Sequence, residues 1–136
     1  MIFLDTNVIS ETLKPRPSAR VIEWLTGHDA MISLPSITLA ELAYGIERIR
    51  PDERAARLEK GLSAWRARFR DQIQSFTEAD AVAYGRLMGR TARNGQTMAV
   101  PDGMIAAMAL TRGWRLATRN VKDFEPTGIE LVDPWQ

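Results

Sequence analysis

Four acidic residues stand where apolar segments end or turn, positions at which a carboxylate can act on something other than solvent. Asp5 closes Ile2-Phe3-Leu4, Glu41 lies within Ser36 to Leu42, Asp102 follows Pro101, and Asp123 falls between Lys122 and Phe124. Each has an ordinary structural reading. Asp5 and Asp102 can cap the helices that follow them, and Asp123 can shape a turn. Thr38-x-x-Glu41 has the form of a capping box, with the carboxylate reaching back to a backbone N–H. Taken jointly they read differently, because a parallel sheet sends strand ends and the following helix starts to one edge, where Asp5, Asp102 and Asp123 would gather. Two carboxylates about 4 Å apart repel by roughly 4 kcal/mol at an effective dielectric of 20. Three or four of them therefore need protons, arginines or a cation. A hard divalent ion, Mg2+ or Mn2+, meets that need by taking carboxylate and water oxygens in octahedral geometry.

No softer ligand set competes. The chain of 136 residues has no cysteine and one histidine, His28, which excludes disulfides, thiolate-bound metals and multi-histidine zinc sites. One histidine also cannot supply the acid and base pair of a metal-independent ribonuclease. His28, between Gly27 and Asp29, reads as a loop residue without assigned chemistry. The net charge of +1 conceals a segregation: from Arg86 to Lys122 there are seven basic residues against one acid, Asp102. Such a segment can hold phosphates around an acidic centre. Arg86, Arg90 and Arg93 recur at helical intervals on one face, able either to follow a phosphate backbone or simply to face solvent.

The elements that must position these groups alternate between strand and helix. Strands are expected at Ile2–Leu4, Met31–Ser33, around Ile73 and Phe76, at Arg115–Thr118 and at Ile129–Val132. Helices are expected from Asp5 to about Leu13, from Ser18 to about Gly27, from Ser36 to beyond Ile46, and from Asp52 to about Arg70. Two more run from a Thr77/Asp80 capping box to about Arg93 and from Pro101-Asp102 to Thr111. Leu58, Leu62 and Trp65 read as core rather than binding surface. Helical crossovers between strands predict an α/β fold, a three-layer sandwich with a mainly parallel central sheet flanked by helices. Residues 1–136 form one domain on this reading, since no linker is long enough to divide them. With 45% hydrophobic and 26% charged residues the composition is that of an ordinary folded protein. No apolar run approaches the roughly 20 residues of a membrane span. The first apolar stretch lacks a basic flank and is cut short by Asp5, so neither membrane nor signal peptide is expected and the cytoplasm is the expected location.

Four segments in register carry a resemblance: Phe3 to Ser10, Ser36 to Leu42, Pro101 to Ala107, and Thr118 to Phe124, with the acids separated by 36, 61 and 21 positions. Together they resemble a PIN domain from end to end, most nearly the small VapC and FitB type toxins of bacterial toxin–antitoxin operons. The resemblance implies a metal-dependent endoribonuclease in which Asp5, Glu41, Asp102 and Asp123 hold Mg2+ or Mn2+. Thr6 and Asn7 match the polar pair after the first acid, and Thr118 and Asn120 match polar positions that orient ligands or the scissile phosphate. Arg119 joins Arg86, Arg90 and Arg93 as a candidate phosphate contact. Gly103 stands where the family often has Ala, Ser or Thr, which lowers helix propensity beside the third acid. Also implied are products with a 5′ phosphate and a 3′ hydroxyl, a cognate antitoxin covering the acidic groove, a homodimer, and operator DNA reached only through the antitoxin. Two other readings stay open. A strand-end Asp can be the nucleophile of a phosphotransferase or phosphatase, although Asn7 stands where that motif wants a second acid. A catalytically silent PIN fold could bind RNA or a partner.

Overall fold

A computed structural model describes residues 1–136 as five strands and seven α-helices. The strands are β1 (Ile2–Leu4), β2 (Ile32–Pro35), β3 (Ile73–Gln74), β4 (Arg115–Ala117) and β5 (Leu131–Val132). The helices are α1 (Thr6–Thr12), α2 (Ala19–Gly27), α3 (Ser36–Arg48), α4 (Arg54–Arg68), α5 (Glu78–Arg93), α6 (Val100–Arg112) and α7 (Val121–Phe124). All pairings are parallel, in the order β3-β2-β1-β4-β5. The central strand alternates its side chains between two cores: Ile2 and Leu4 join Val8, Ile9, Val21, Leu25, Leu42, Ile46 and Leu62, whereas Phe3 joins Leu87, Ile105, Met108 and Phe124. Helices α1 to α4 thus cover one face and α5 to α7 the other. Burial on both faces is why β1 reads as an uninterrupted apolar run rather than an alternating one. Ile2, Phe3 and Leu4 are fully buried.

The expected three-layer α/β architecture is the observed one, with boundaries shifted by a few residues. β2 begins one residue late, because Met31 lies in a short turn and stays exposed. Phe76 lies outside β3, and Ile129 outside β5. The Thr77/Asp80 capping box forms, each side chain accepting from the other residue's N–H. The chain moves outward from β1 through β2 to β3, then crosses to the opposite side of β1 for β4 and β5. The order therefore reverses between β1 and β4, and a crevice opens beyond their carboxyl ends, the place where parallel sheets bind ligands.

Candidate active site at the sheet's switch point

Asp5 follows β1 directly at this reversal. Its backbone remains extended and still belongs to the sheet, the N–H donating to Ala117 O at 2.9 Å. Its side chain caps α1, Oδ1 accepting the Thr6 N–H at 2.8 Å. The other oxygen, Oδ2, accepts the Thr118 hydroxyl at 2.7 Å and the Asn7 amide at 3.3 Å. Thr118 in turn accepts the Asn120 N–H at 3.0 Å, which ties the turn after β4 to the carboxylate after β1. The capping and chemical readings of Asp5 are compatible: one oxygen caps the helix while the other joins the cleft network.

Glu41 is not part of a capping box. The N-cap of α3 is Pro35, and Thr38 lies buried one turn inside, donating its hydroxyl to Leu4 O at 2.9 Å. That bond satisfies a strand-end carbonyl and fixes α3 against β1. Glu41 then meets α1 instead of its own helix start, with Oε1 accepting the Thr6 hydroxyl at 2.6 Å. Asp102 occupies the first turn of α6, whose N-cap Ala99 offers no side-chain cap. It accepts no protein hydrogen bond.

Burial first, then the charges of Asp5, Glu41 and Asp123, push Asp102 up to about 6. Burial likewise raises Glu41, opposed by the Thr6 hydrogen bond and reinforced by Asp5. It raises Asp5 as well, against hydrogen bonds from Thr118, Thr6 and Asn7, with Asp123 adding to the rise. The four acids therefore lie within one electrostatic neighbourhood. Asp5, Glu41 and Asp102 line an open cleft of about 360 Å³ together with Thr6, Asn7, Arg119 and Asn120. Asp123, exposed on α7, lies outside that lining although its charge bears on Asp5 and Asp102. No three acidic side chains close into a ready-made cage for a metal. The donor set is nevertheless all oxygen and short of positive charge, which fits a hard cation that keeps several waters and does not fit a soft one.

Gly103 has a packing reason. A Cβ there would meet Met88 Sδ at 2.6 Å and the Tyr84 ring at 3.1 Å, so α5 lies hard against the start of α6 beside Asp102. Arg86, Arg90 and Arg93 are exposed on α5 and outside the cleft; of the four candidate phosphate contacts only Arg119 lines it. His28 ends α2, its Nδ1 within 2.7 Å of Trp24 O and its ring stacked on the Trp24 indole. Sequence reasoning missed Ser10, Glu11, Lys14 and Trp135, which also line the cleft. The first three were legible in principle, since Thr6, Asn7, Ser10, Glu11 and Lys14 share one face at helical spacing. Nothing local announces Trp135.

The PIN domain family matches residues 2–128. The chain is 36% identical to the plasmid stability protein StbB of Pseudomonas syringae pv. tomato, covering 100% of this chain and 99% of that protein. It is 31% identical to the VapC ribonuclease Y4jK of Sinorhizobium fredii, again over 100% and 99%. Identity to the toxin FitB of Neisseria gonorrhoeae is 34%, with 99% of each covered. The solved structure of FitAB bound to an IR36 DNA fragment superposes with a TM-score of 0.88 at 32% identity, over 100% of this chain and 96% of that one. A five-stranded parallel sheet with acids at its switch point, matched over nearly its whole length, makes this chain a member of the PIN-domain family, of the VapC and FitB toxin type.

Proposed function

We propose that this chain is the toxin of a toxin–antitoxin pair and hydrolyses RNA phosphodiesters with Mg2+ or Mn2+ at Asp5, Asp102, Glu41 and Asp123. The observation that carries the reading is the uncompensated convergence of Asp5, Glu41 and Asp102, with Asp102 lifted to about 6 and no protein donor to relieve it. A divalent ion is what such a cluster lacks. When bound, it supplies a Lewis acid that polarises the phosphate and makes water a better nucleophile near neutral pH.

The chain's own groups divide the remaining tasks. Asp5 and Asp102 would hold the cation, and Thr118 and Asn7 fix the orientation of Asp5 through Oδ2. Glu41, anchored to Thr6 through Oε1, keeps Oε2 free to orient the attacking water and receive its proton. Asp123 acts at longer range, through water or by orienting the nucleophile. Asn120 and Arg119 line the cleft from the turn after β4, where they would meet a bound phosphate. Because water and not the substrate 2′-OH attacks, the products carry a 5′ phosphate and a 3′ hydroxyl.

Similar proteins include a VapC ribonuclease and the FitAB assembly bound to DNA, which supports an RNA substrate and an antitoxin partner; on the same reading a basic side chain of the antitoxin enters the acidic cleft, and DNA is met only through that antitoxin. A homodimer belongs to the same reading. The test is cleavage of labelled RNA during a Mn2+ titration. Cleavage that disappears in Asp5→Asn is expected; equal cleavage by the variant overturns the proposal. Growth inhibition relieved by co-expression of the neighbouring gene tests the antitoxin, and unrelieved inhibition rejects it.

A further inference from the structure

Arg119 and Trp135 reach the cleft from different parts of the chain and meet there, the guanidinium lying 5.0 Å from the indole centroid. Trp135 is the only large aromatic side chain among the cleft-lining residues. It is half-buried, held from behind by packing against the α1 to α4 core and at its backbone by an N–H donated to Asp133 Oδ1 at 2.9 Å. Arg119 is exposed and makes no ion pair; its N–H donates to Asn7 Oδ1 at 3.3 Å, which anchors it beside Asp5. The other cation of the cleft, Lys14, is already spent on Glu11 at 2.9 Å.

A cation that serves only a phosphate needs no aromatic partner. A guanidinium held 5.0 Å from the centre of an indole is a different object, a cation–π pair of the kind on which unpaired bases stack. A base seated on it would share the cleft with Asp5 and Asp102. We infer that Arg119 and Trp135 form a stacking platform for an unpaired nucleobase next to the scissile phosphate, so that the substrate is single-stranded at that position. The inference rests on the nuclease reading above and adds the feature of RNA that the site selects. A duplex is disfavoured, since its bases are already stacked and the platform reads a base face rather than an edge.

The test separates binding from cleavage. In the Asp5→Asn background with Mg2+, an unstructured oligoribonucleotide is titrated against tryptophan fluorescence, with Trp135→Phe, Trp135→Ala and Arg119→Gln compared. Trp135→Ala is expected to weaken binding roughly 5- to 150-fold, with recovery in Trp135→Phe. Quenching by RNA should be largely lost once the indole is replaced by phenyl. Because Trp135→Ala removes packing against the core, Arg119→Gln at an exposed position decides if that variant unfolds. In the wild-type background both changes raise KM more than they lower kcat, and an abasic site beside the cut erases the difference between variant and wild type. Equal affinity for all four proteins overturns the platform, as does a loss that the abasic oligonucleotide shows in full, which reduces Arg119 to a phosphate contact. If RNA binds and quenches but wild type never cleaves, the nuclease reading falls and the platform stands. If no RNA binds, both fall.

Discussion

Asp80 and Asp102 both sit in the first turn of a helix, α5 and α6 respectively, and the protein treats them in opposite ways. Asp80 is fully buried and saturated with donors. It accepts the Thr77 N–H at 2.8 Å, the Thr111 hydroxyl at 2.6 Å and the Arg112 guanidinium at 2.8 and 3.2 Å. Burial pushes its acidity the other way, but these bonds win and hold it down to about 2. Arg112 is itself fixed, over the Phe3 and Trp114 rings and bonded to Met108 O and Ser75 O. Asp102 has no protein donor, and burial first, then three acidic neighbours, raise it. A fold that neutralises a buried acid so completely at Asp80 leaves Asp102 without a donor, and that contrast is what the proposed cation site at Asp102 rests on.

The contrast is broken most sharply by activity. Asp5→Asn should cost at least about 100-fold in RNA cleavage, the scale on which one group acting at the transition state contributes. Asp80→Asn should leave the rate per folded molecule unchanged; a comparable loss there would erase the distinction. Stability reverses the ranking. Asp80→Asn removes one partner of a buried pair and should destabilise by about 3 kcal/mol in urea denaturation. Its folded value of about 2 lies below the ordinary 3.8, so the wild type keeps this contribution at neutral pH. The deficit should stay constant down to about pH 4 and shrink only as pH falls further towards 2.

Asp102→Asn should do the opposite. Asp102 has a folded value of about 6 against 3.8, so its ionised form opposes folding above pH 6. The variant should be more stable than wild type at pH 7.5 by about 1–2 kcal/mol, discounted for a half-exposed group, and the advantage should fade between pH 6 and 4. Saturating Mg2+ should raise the wild-type Tm and not that of Asp102→Asn, a thermal-shift comparison that links the penalty to the ion. The smallest effect is expected from Thr118→Val, which removes the 2.7 Å bond to Asp5 Oδ2. A loss of about 1 kcal/mol is expected, and the acid limb of the pH–rate profile should move upward because the bond that stabilises ionised Asp5 is gone.

Much of the fold was legible because its signals are local. The run Ile2-Phe3-Leu4 announces a two-sided buried strand, and the pair Thr77 and Asp80 announces a helix start that forms as expected. Boundaries slipped where a short turn intervened, as at Asp29–Met31 before β2, since propensity cannot say which residue of an apolar run first joins a ladder. The same locality misleads at Thr38 and Glu41. Their spacing satisfies a capping box, yet Pro35 already begins the helix and Leu4 O claims the Thr38 hydroxyl.

What the sequence by itself determined is the chemistry available: oxygen ligands only, acids at the ends of strands and starts of helices, and a basic segment around Asp102. Which acids share a pocket was decided by strand order, because the reversal between β1 and β4 brings Thr118 against Asp5 across 113 positions of chain. Tertiary packing also decided which arginine enters the cleft and which tryptophan meets it. Residue type limits what a side chain can do. Its neighbours, fixed by long-range burial and pairing, decide whether its charge is neutralised, as at Asp80, or left without a protein partner, as at Asp102.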